Sequence, residues 1–386
     1  MRIFLSCQQA QRRYPVPAYD FWEYYFKNGL SEAGHSLCEA AGVDWAEGLT
    51  PLPAAERRTW LSRAWESTLT TIRREHARQP IDLFLGYLYP GQVEPAAVDE
   101  IRGLGIPTVN FFCDNVREFR QVPPEYHAFA LHWVPEFAAL PMYQRAGLPC
   151  LHAPMPVWVP PSLRRKGRQE SEPVTFIGSA DLLRRDLLAQ ALAQGADLII
   201  RGTGWIPDAG DKLAADPGGV GVGRRLQNQI EFVQRHGLRG WLFKLEQRLV
   251  PLNPPAIPAS RIRPAVYGEE YFRVTQEAQI TIGINRVPTF KRSLHRPLIY
   301  SRLRDIEAPM LGACYLTEWA PGLDQLYELG REIEVYRDAD ELAGKIQMLA
   351  RDATQRHELR AAGQRRALND HCIAHTLARI VERLGI

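Results

Sequence analysis

Short, near-continuous apolar runs alternate along this chain with longer stretches in which apolar residues recur every three or four positions. The first is the pattern of strands buried on both faces, the second of helices covering them. "RIFLS" opens as a strand. "AYDFWEYYFKNGLSEAGHSLCEA" reads as an amphipathic helix ending near Gly34, followed by a second strand. "ERRTWLSRAWESTLTTIRREHARQ" sets Trp60, Ala64, Leu69 and Ile72 at helical spacing. "IDLFLGYL" is a strand, "PAAVDEIRGLG" a helix with glycine near its end, and "IPTVNFFCDN" a strand with polar residues at its carboxyl edge.

From Ala153 to Pro173, "APMPVWVPPSLRRKGRQESEP", proline, charge and serine dominate, as in a linker. The alternation then restarts. "VTFIGS", "ADLIIRGTGW", "AQITIGIN" and "EIEVYRD" read as strands, "ADLLRRDLLAQALAQG" as a helix, and "PMLGACYLTE" as a helix end running into a strand. "ADELAGKIQMLARDATQRHELRAAGQRRALNDH" gives one or two helices, and "CIAHTLARIVERLGI" an amphipathic last one. Residues 208–263 fit no simple βα unit and read as an insertion carrying one helix. The fold class is therefore α/β, with two Rossmann-like parallel-sheet domains. Two such sheets facing each other make a cleft, the usual place for a small-molecule site.

Composition narrows the class. The chain has 386 residues, too many for one ordinary core, with 45% hydrophobic and 24% charged residues, as in a soluble globular protein. A net charge of +3 does not by itself imply nucleic acid, and no nucleic-acid partner is expected. "MRIFLSC" reads as a strand rather than a signal peptide, and no stretch is apolar for long enough to span a bilayer, so a cytoplasmic location is expected. The six cysteines are scattered without a CxxC pair, which suits buried free thiols.

"FIGS" followed by Arg184, "IIRGTGW", "YGEEYFRVTQEAQITIGIN", "RLRDIEAPMLGACYLTEWAPGL", "EIEVYRDADELAGKI" and "AAGQRRALNDHCIAHTLARIVERL" occur in this order. Together they make the span from Val174 to Leu384 resemble the CgeB-like group of GT-B glycosyltransferases, near the group-1 type. "DLFLGY" and "PTVNFFCDN" match more loosely. The resemblance implies an acceptor-side domain over 1–158, a nucleotide-sugar domain over 172–370, and a final helix, 371–386, crossing back to the first domain. It also implies that Glu307 hydrogen-bonds the donor ribose, with Arg304 one helical turn before it. A single carboxylate can accept from both neighbouring ribose hydroxyls, and an arginine near the diphosphate stabilises the leaving group. An i, i+3 Arg–Glu pair is also a common surface ion pair, contributing a few tenths of a kcal/mol. One position departs from the pattern. Many group-1 enzymes carry a second glutamate eight residues before this one, where this chain has Ile299 and then Tyr300.

Other residues carry candidate chemistry. Gly178 and Ser179 join a strand to a helix, where backbone N–H groups and Arg184 or Arg185 could meet phosphate; an ordinary βα turn is the alternative. Gly202 and Gly204, in "RGTGW", would let a base or phosphate approach. "NRVPTFKRSLHR" places Asn285, Arg286, Lys291, Arg292 and Arg296 in a loop before Glu307, facing a diphosphate or only solvent. Asp114 and Asn115 end a strand, and Asp114 is a general-base candidate or the closing Asx turn. His127 and His132 read as structural. The "DAD" at Asp338–Asp340 opens a helix, so it reads as an N-cap rather than a metal site. "GWLFKLEQRLV" packs on its own domain, or touches a membrane surface or a partner subunit.

The reading is a metal-independent hexosyltransferase acting on a nucleotide-diphosphate sugar and an acceptor hydroxyl of a glycan, protein or small molecule. Asp114, Arg184 and Lys291 are its candidate catalytic residues. Glu307, Arg304, Gly178, Ser179, Gly202, Gly204, Asn285 and Arg286 are its candidate binding residues. The alternatives are a non-catalytic nucleotide- or carbohydrate-binding protein of the same fold, and a nucleotide-sugar epimerase.

Overall fold

The computed structural model describes residues 1–14, 19–164, 169–206, 242–246 and 249–386. The chain divides into two compact units, residues 1–160 with 367–386, and residues 161–366.

The first unit is a six-stranded parallel sheet in the order β2-β1-β3-β4-β5-β6. Its strands are β1 (Arg2–Ser6), β2 (Ser36–Cys38), β3 (Leu83–Gly86), β4 (Thr108–Phe111), β5 (Leu131–Val134) and β6 (Cys150–His152). The chain runs from β1 outward to β2 and then to β3 on the other side, so the winding reverses between β1 and β3. Among the described residues up to 160, the helices are α1 (Tyr19–Glu32), α2 (Ala54–Arg78), α3 (Pro95–Gly103), α4 (Asn115–Glu118) and α5 (Leu140–Arg145). The core is aromatic. Phe111 lies 5.7 Å from Phe26 and 5.1 Å from Trp133, while Trp45 lies 5.4 Å from Trp65.

What reads as linker from Ala153 is, as far as Pro160, part of this unit. Met155, Val157 and Val159 are buried, and the Trp133 indole donates to Pro154 O at 2.9 Å. Pro154 and Pro156 are buried with them, so the segment is enclosed on both sides as far as Val157.

The second unit has a six-stranded parallel sheet in the order β14-β13-β10-β7-β8-β9, beside a two-stranded antiparallel pair, β11-β12. The strands are β7 (Thr175–Ile177), β8 (Ile199–Arg201), β9 (Ile262–Arg263), β10 (Thr281–Gly283), β11 (Arg286–Val287), β12 (Leu298–Ile299), β13 (Tyr315–Glu318) and β14 (Glu334–Tyr336). Counted within the unit, the sheet order is that of a doubly wound dinucleotide fold, with its reversal between β7 and β10. Its helices are α6 (Leu182–Ala193), α7 (Gly268–Glu277), α8 (Arg304–Met310), α9 (Leu323–Leu326), α10 (Ala339–Arg351) and α11 (Ala353–Asp370). The core is mainly aliphatic, built on Leu187, Leu198, Ile200, Ile280, Ile282, Leu316, Leu342 and Ile346. Glu170 ties the start of the unit to α11 through Arg356 at 2.7 Å.

The last helix, α12 (Ile373–Leu384), falls with the first unit. Gly29 of α1 leaves room for it, since a Cβ there would sit 2.3 Å from Ile373 Cδ1. Arg379 donates to His152 O at 2.8 Å. The six cysteines are free, though Cys38, Cys150 and Cys372 are half-buried rather than buried. Most of the expected insertion at 208–263, including Trp241 and Arg248, lies outside the described residues; residues 242–246 are helical. No described helix is long and apolar enough to cross a membrane.

Candidate functional site

The winding of the second sheet reverses between β7 and β10, where a doubly wound sheet leaves a crevice at its strand ends. The side chains gathered there come from α8 and the β7–α6 turn, and α8 needs explaining first. It is short and carries Pro309 inside it. Proline has no N–H, so Asp305 O, four residues back, loses its helical donor. The Tyr327 hydroxyl donates to that carbonyl at 2.8 Å instead. The Asp305 side chain is wholly buried and accepts from Tyr315 OH and Thr317 Oγ1 at 2.8 Å each, and from Asn285 Nδ2 and Arg302 N at 3.0 Å each. Burial raises its pKa above the ordinary carboxylate value, and these hydrogen bonds act against that rise. Asp305 therefore fixes the start of α8, and with it the directions of Arg302, Arg304 and Glu307.

Glu307 is 3% exposed and its Oε2 accepts from the Tyr271 hydroxyl of α7. Burial, together with the Glu307 charge, raises the Tyr271 pKa, which keeps that hydroxyl a donor. The Arg304 guanidinium lies 5.5 Å from the centre of the Tyr271 ring and donates to Ile177 O, the last carbonyl of β7. From the other side Arg184 donates to Ser179 O at 3.0 Å and pairs with Asp181 at 3.2 Å. Burial lowers the Arg184 pKa; Asp181 opposes this, and Arg302 and Arg304 lower it further. Arg184 and Arg304 thus bracket the exit of β7, while the Arg302 guanidinium lies 5.6 Å from the centre of the Tyr300 ring. Like charges held together in a partly buried place favour an anion between them.

The remaining candidates divide. The Gly178 N–H, expected to meet phosphate, donates to Arg201 O at 2.8 Å. Gly202 is required by packing, because a Cβ there would lie 1.9 Å from Gly178 O. Gly204 has φ +75°, a left-handed conformation that suits glycine. Its carbonyl accepts from Arg185 at 2.9 Å, which commits Arg185 to the β8 exit. Asn285 is buried and joins Asp305 to Glu318 O, so it braces the interior. Arg286 pairs with the fully buried Glu318 at 2.6 Å, and its charge is matched within the protein. The expected basic loop is closed at its base by the β11-β12 pair, in which Arg286 stands opposite Ile299. Lys291 is half-buried in that loop. Asp338 caps α10 by accepting from Glu341 N at 2.9 Å. Among the described residues no group of three His, Cys, Asp or Glu is placed to hold a metal ion.

Asp114 belongs to the first unit and precedes α4 without a side-chain cap. Beside it stands Glu136, 1% exposed, which sequence reasoning did not single out. Burial, then the Asp114 charge, raises the Glu136 pKa well above the ordinary carboxylate value. Asp305, Glu318, Arg302 and Tyr271 were likewise not singled out. Glu318 follows a largely apolar run, but Asp305, flanked by Arg304 and Ile306 with Glu307 beyond, reads as one more charge in a charged stretch.

Residues 224–382 match the family model described as glycosyl transferase-like. Sucrose-phosphate synthase from Thermosynechococcus elongatus is 14% identical, with a TM-score of 0.56 over 100% of this chain and 98% of that one. HepE from Anabaena, in complex with UDP-glucose, is 12% identical, with a TM-score of 0.55 over 100% and 99%. AviGT4, a glycosyltransferase of avilamycin A biosynthesis, is 16% identical, with a TM-score of 0.53 over 99% and 96%. The chain has the GT-B glycosyltransferase fold. The glycosyl transferase-like match falls mostly on the second unit and includes Glu307, Arg304 and Asp305. No curated protein sequence matches the chain.

Proposed function

We propose that the second unit holds a nucleotide-diphosphate sugar at the β7/β10 strand ends, and that the GT-B chain transfers its sugar to an acceptor hydroxyl. The observation that carries this is the convergence of Arg184 and Arg304 on the β7 exit, with Glu307 fixed on the same helix as Arg304. Glu307 accepts from the ribose hydroxyls, and the arginines offset the diphosphate charge. In the reaction the bond from the sugar's anomeric carbon to the phosphate oxygen breaks, and the nucleotide diphosphate leaves with the electron pair. The acceptor oxygen bonds to that carbon, and its proton passes to the departing phosphate or to a carboxylate. Stabilising the leaving group's growing charge is where fixed arginines act, without need of a metal. HepE's complex with UDP-glucose makes a UDP-hexose the first donor to test.

Titration calorimetry with UDP tests the reading. Glu307→Ala should weaken binding by about 1–3 kcal/mol, the value of hydrogen bonds to a charged acceptor. Unchanged affinity in a folded variant removes Glu307 from the site. A thermal-shift series with UDP, GDP, dTDP and ADP sugars should single out one base, since only a ligand of the folded state raises Tm. Ile299, in the place of a second glutamate, favours one other reading, that of a binding protein. Release of free UDP from UDP-hexose in the presence of acceptors supports the enzyme, and its absence despite tight binding supports the binder.

A further inference from the structure

Tyr271, the fourth residue of α7, touches both charged groups of α8 at once. Its hydroxyl donates to Glu307 Oε2. The Arg304 guanidinium stands 5.5 Å from the centre of its ring, a distance at which a cation is drawn to an aromatic face. That guanidinium in turn donates to Ile177 O at the β7 exit. One side chain thus meets the carboxylate with its polar tip and the arginine with its apolar body.

The helix that carries Tyr271 is itself tied down on two sides. Gln276, 2% exposed, donates to Leu311 O at 2.9 Å, which joins α7 to the end of α8. Arg273 pairs with Glu270 at 2.7 Å and Glu277 at 2.8 Å within α7, and with Glu172, just before β7, at 3.1 Å. The ring is therefore referenced to both elements between which the arginine and the carboxylate stand. A group held this way presets the groups it touches. Packing alone would be served by phenylalanine; the hydroxyl adds direction. A carboxylate oxygen has two lone pairs, so Glu307 Oε2 can accept from Tyr271 and from a ligand together.

We propose that Tyr271 is a positioning residue that couples the two arms of the nucleotide site. Its hydroxyl sets the Glu307 carboxylate toward the ribose, and its ring sets the Arg304 guanidinium toward the diphosphate. This rests on the nucleotide-sugar reading above and adds to it a residue that acts through its neighbours. Without the hydroxyl, the carboxylate must be ordered when the ligand binds. Ordering one such side chain costs about two- to tenfold in affinity.

The test is titration calorimetry on the full chain with UDP and with 2′,3′-dideoxy-UDP, which lacks the hydroxyls that Glu307 would meet. The unaltered protein should prefer UDP. Tyr271→Phe keeps the ring and should weaken UDP by about two- to tenfold while leaving the dideoxy nucleotide unchanged. Tyr271→Leu removes the ring as well and should weaken both nucleotides. In a Glu307→Ala background, Tyr271→Phe should weaken UDP no further. If Tyr271→Leu does not fold, Tyr271→Phe and its cycle with Glu307→Ala carry the test. A merely structural tyrosine would move both nucleotides alike. Equal loss for both with Tyr271→Phe, no loss for either, or additivity with Glu307→Ala overturns the role of Tyr271 and leaves the nucleotide reading standing. If the unaltered protein binds both nucleotides equally and Glu307→Ala changes neither, the ribose contact itself is wrong, and the role of Tyr271 falls with it.

Discussion

At its reversal point the first unit presents Ser6, Gln8, Gln9 and Gln92, none of them charged, whereas the second presents Arg184, Arg304 and Glu307. The contrast extends behind the strand ends. In the first unit the buried ionisable groups near the sheet edge, His132 and Glu136, are pushed toward their neutral forms. In the second, Glu318 is met by Arg286, and Asp305 by several hydrogen-bond donors. Two sheets of related winding thus carry different side chains at their reversals: one gathers arginines, while the groups at the other can only exchange hydrogen bonds. The winding places a site, and the side chains at the reversal decide its charge.

Removing the brace of the charged site should have the largest effect. Asp305→Ala leaves Tyr315, Thr317, Asn285 and the Arg302 N–H without their common acceptor. We expect a loss of about 3–5 kcal/mol in denaturant unfolding, because several buried donors lose their acceptor at once and each one left unmet costs about 1–3 kcal/mol. Asp305→Asn keeps the shape and should lose less. A loss under about 1 kcal/mol for Asp305→Ala, typical of a surface change, would show that the charged edge holds itself without this brace.

Much of this frame is legible in the sequence. The near-continuous apolar strands of both units give the two parallel sheets, and the charged pair Arg304 and Glu307 stands out at the edge of an apolar run. The braces do not, because their meaning lies in distant partners. Nothing near Glu318 in sequence announces Arg286, and nothing near Asp305 announces Asn285 or Tyr327. The glycines mislead for the opposite reason. Gly178 and Gly202 look like places for a ligand to approach, but it is one backbone that approaches the other. The segment from Ala153 to Pro160 looks like linker because its prolines give no helical or strand period, although every residue from Ala153 to Val157 is buried. Strands of two residues, β11 and β12, are too short to leave a pattern at all.

The neutral character of the first unit predicts its response to pH. Burial, then the His127 charge, pushes the His132 pKa down to about 3, so the imidazole stays neutral in the fold while the unfolded chain takes up a proton near pH 6.5. The unfolded state then binds more protons below pH 6.5, and stability falls with pH. Between pH 7 and pH 5 His132 should account for about 2 kcal/mol of that fall. His132→Leu should flatten the unfolding free energy over this range by that amount; an unchanged slope would mean that the ring is protonated in the fold. Glu136 works in the other direction. Its pKa is raised in the fold, so its contribution is whole below about pH 4.3, the unfolded value, and is lost as pH rises. Glu136→Gln should stabilise the protein at pH 7 by about 1–2 kcal/mol, because the amide need not be desolvated as an ion. No gain at pH 7 would mean that the carboxylate is paired there, and the units would be less unlike than they look.

The smallest expected effect isolates one bond at the charged edge. Pro309 deprives Asp305 O of its helical donor and Tyr327 OH takes that place at 2.8 Å. Tyr327→Phe should cost about 1 kcal/mol, the net value of one hydrogen bond with its acceptor left buried. Pro309→Ala returns an N–H within reach of the same carbonyl. In that background Tyr327→Phe should cost much less, giving a coupling of about 0.5–1 kcal/mol in a double-mutant cycle. Strict additivity would mean that the two groups do not share the carbonyl. The start of α8 would then depend on the Asp305 side chain alone, and the arginines at the β7 exit would rest on a single brace rather than two.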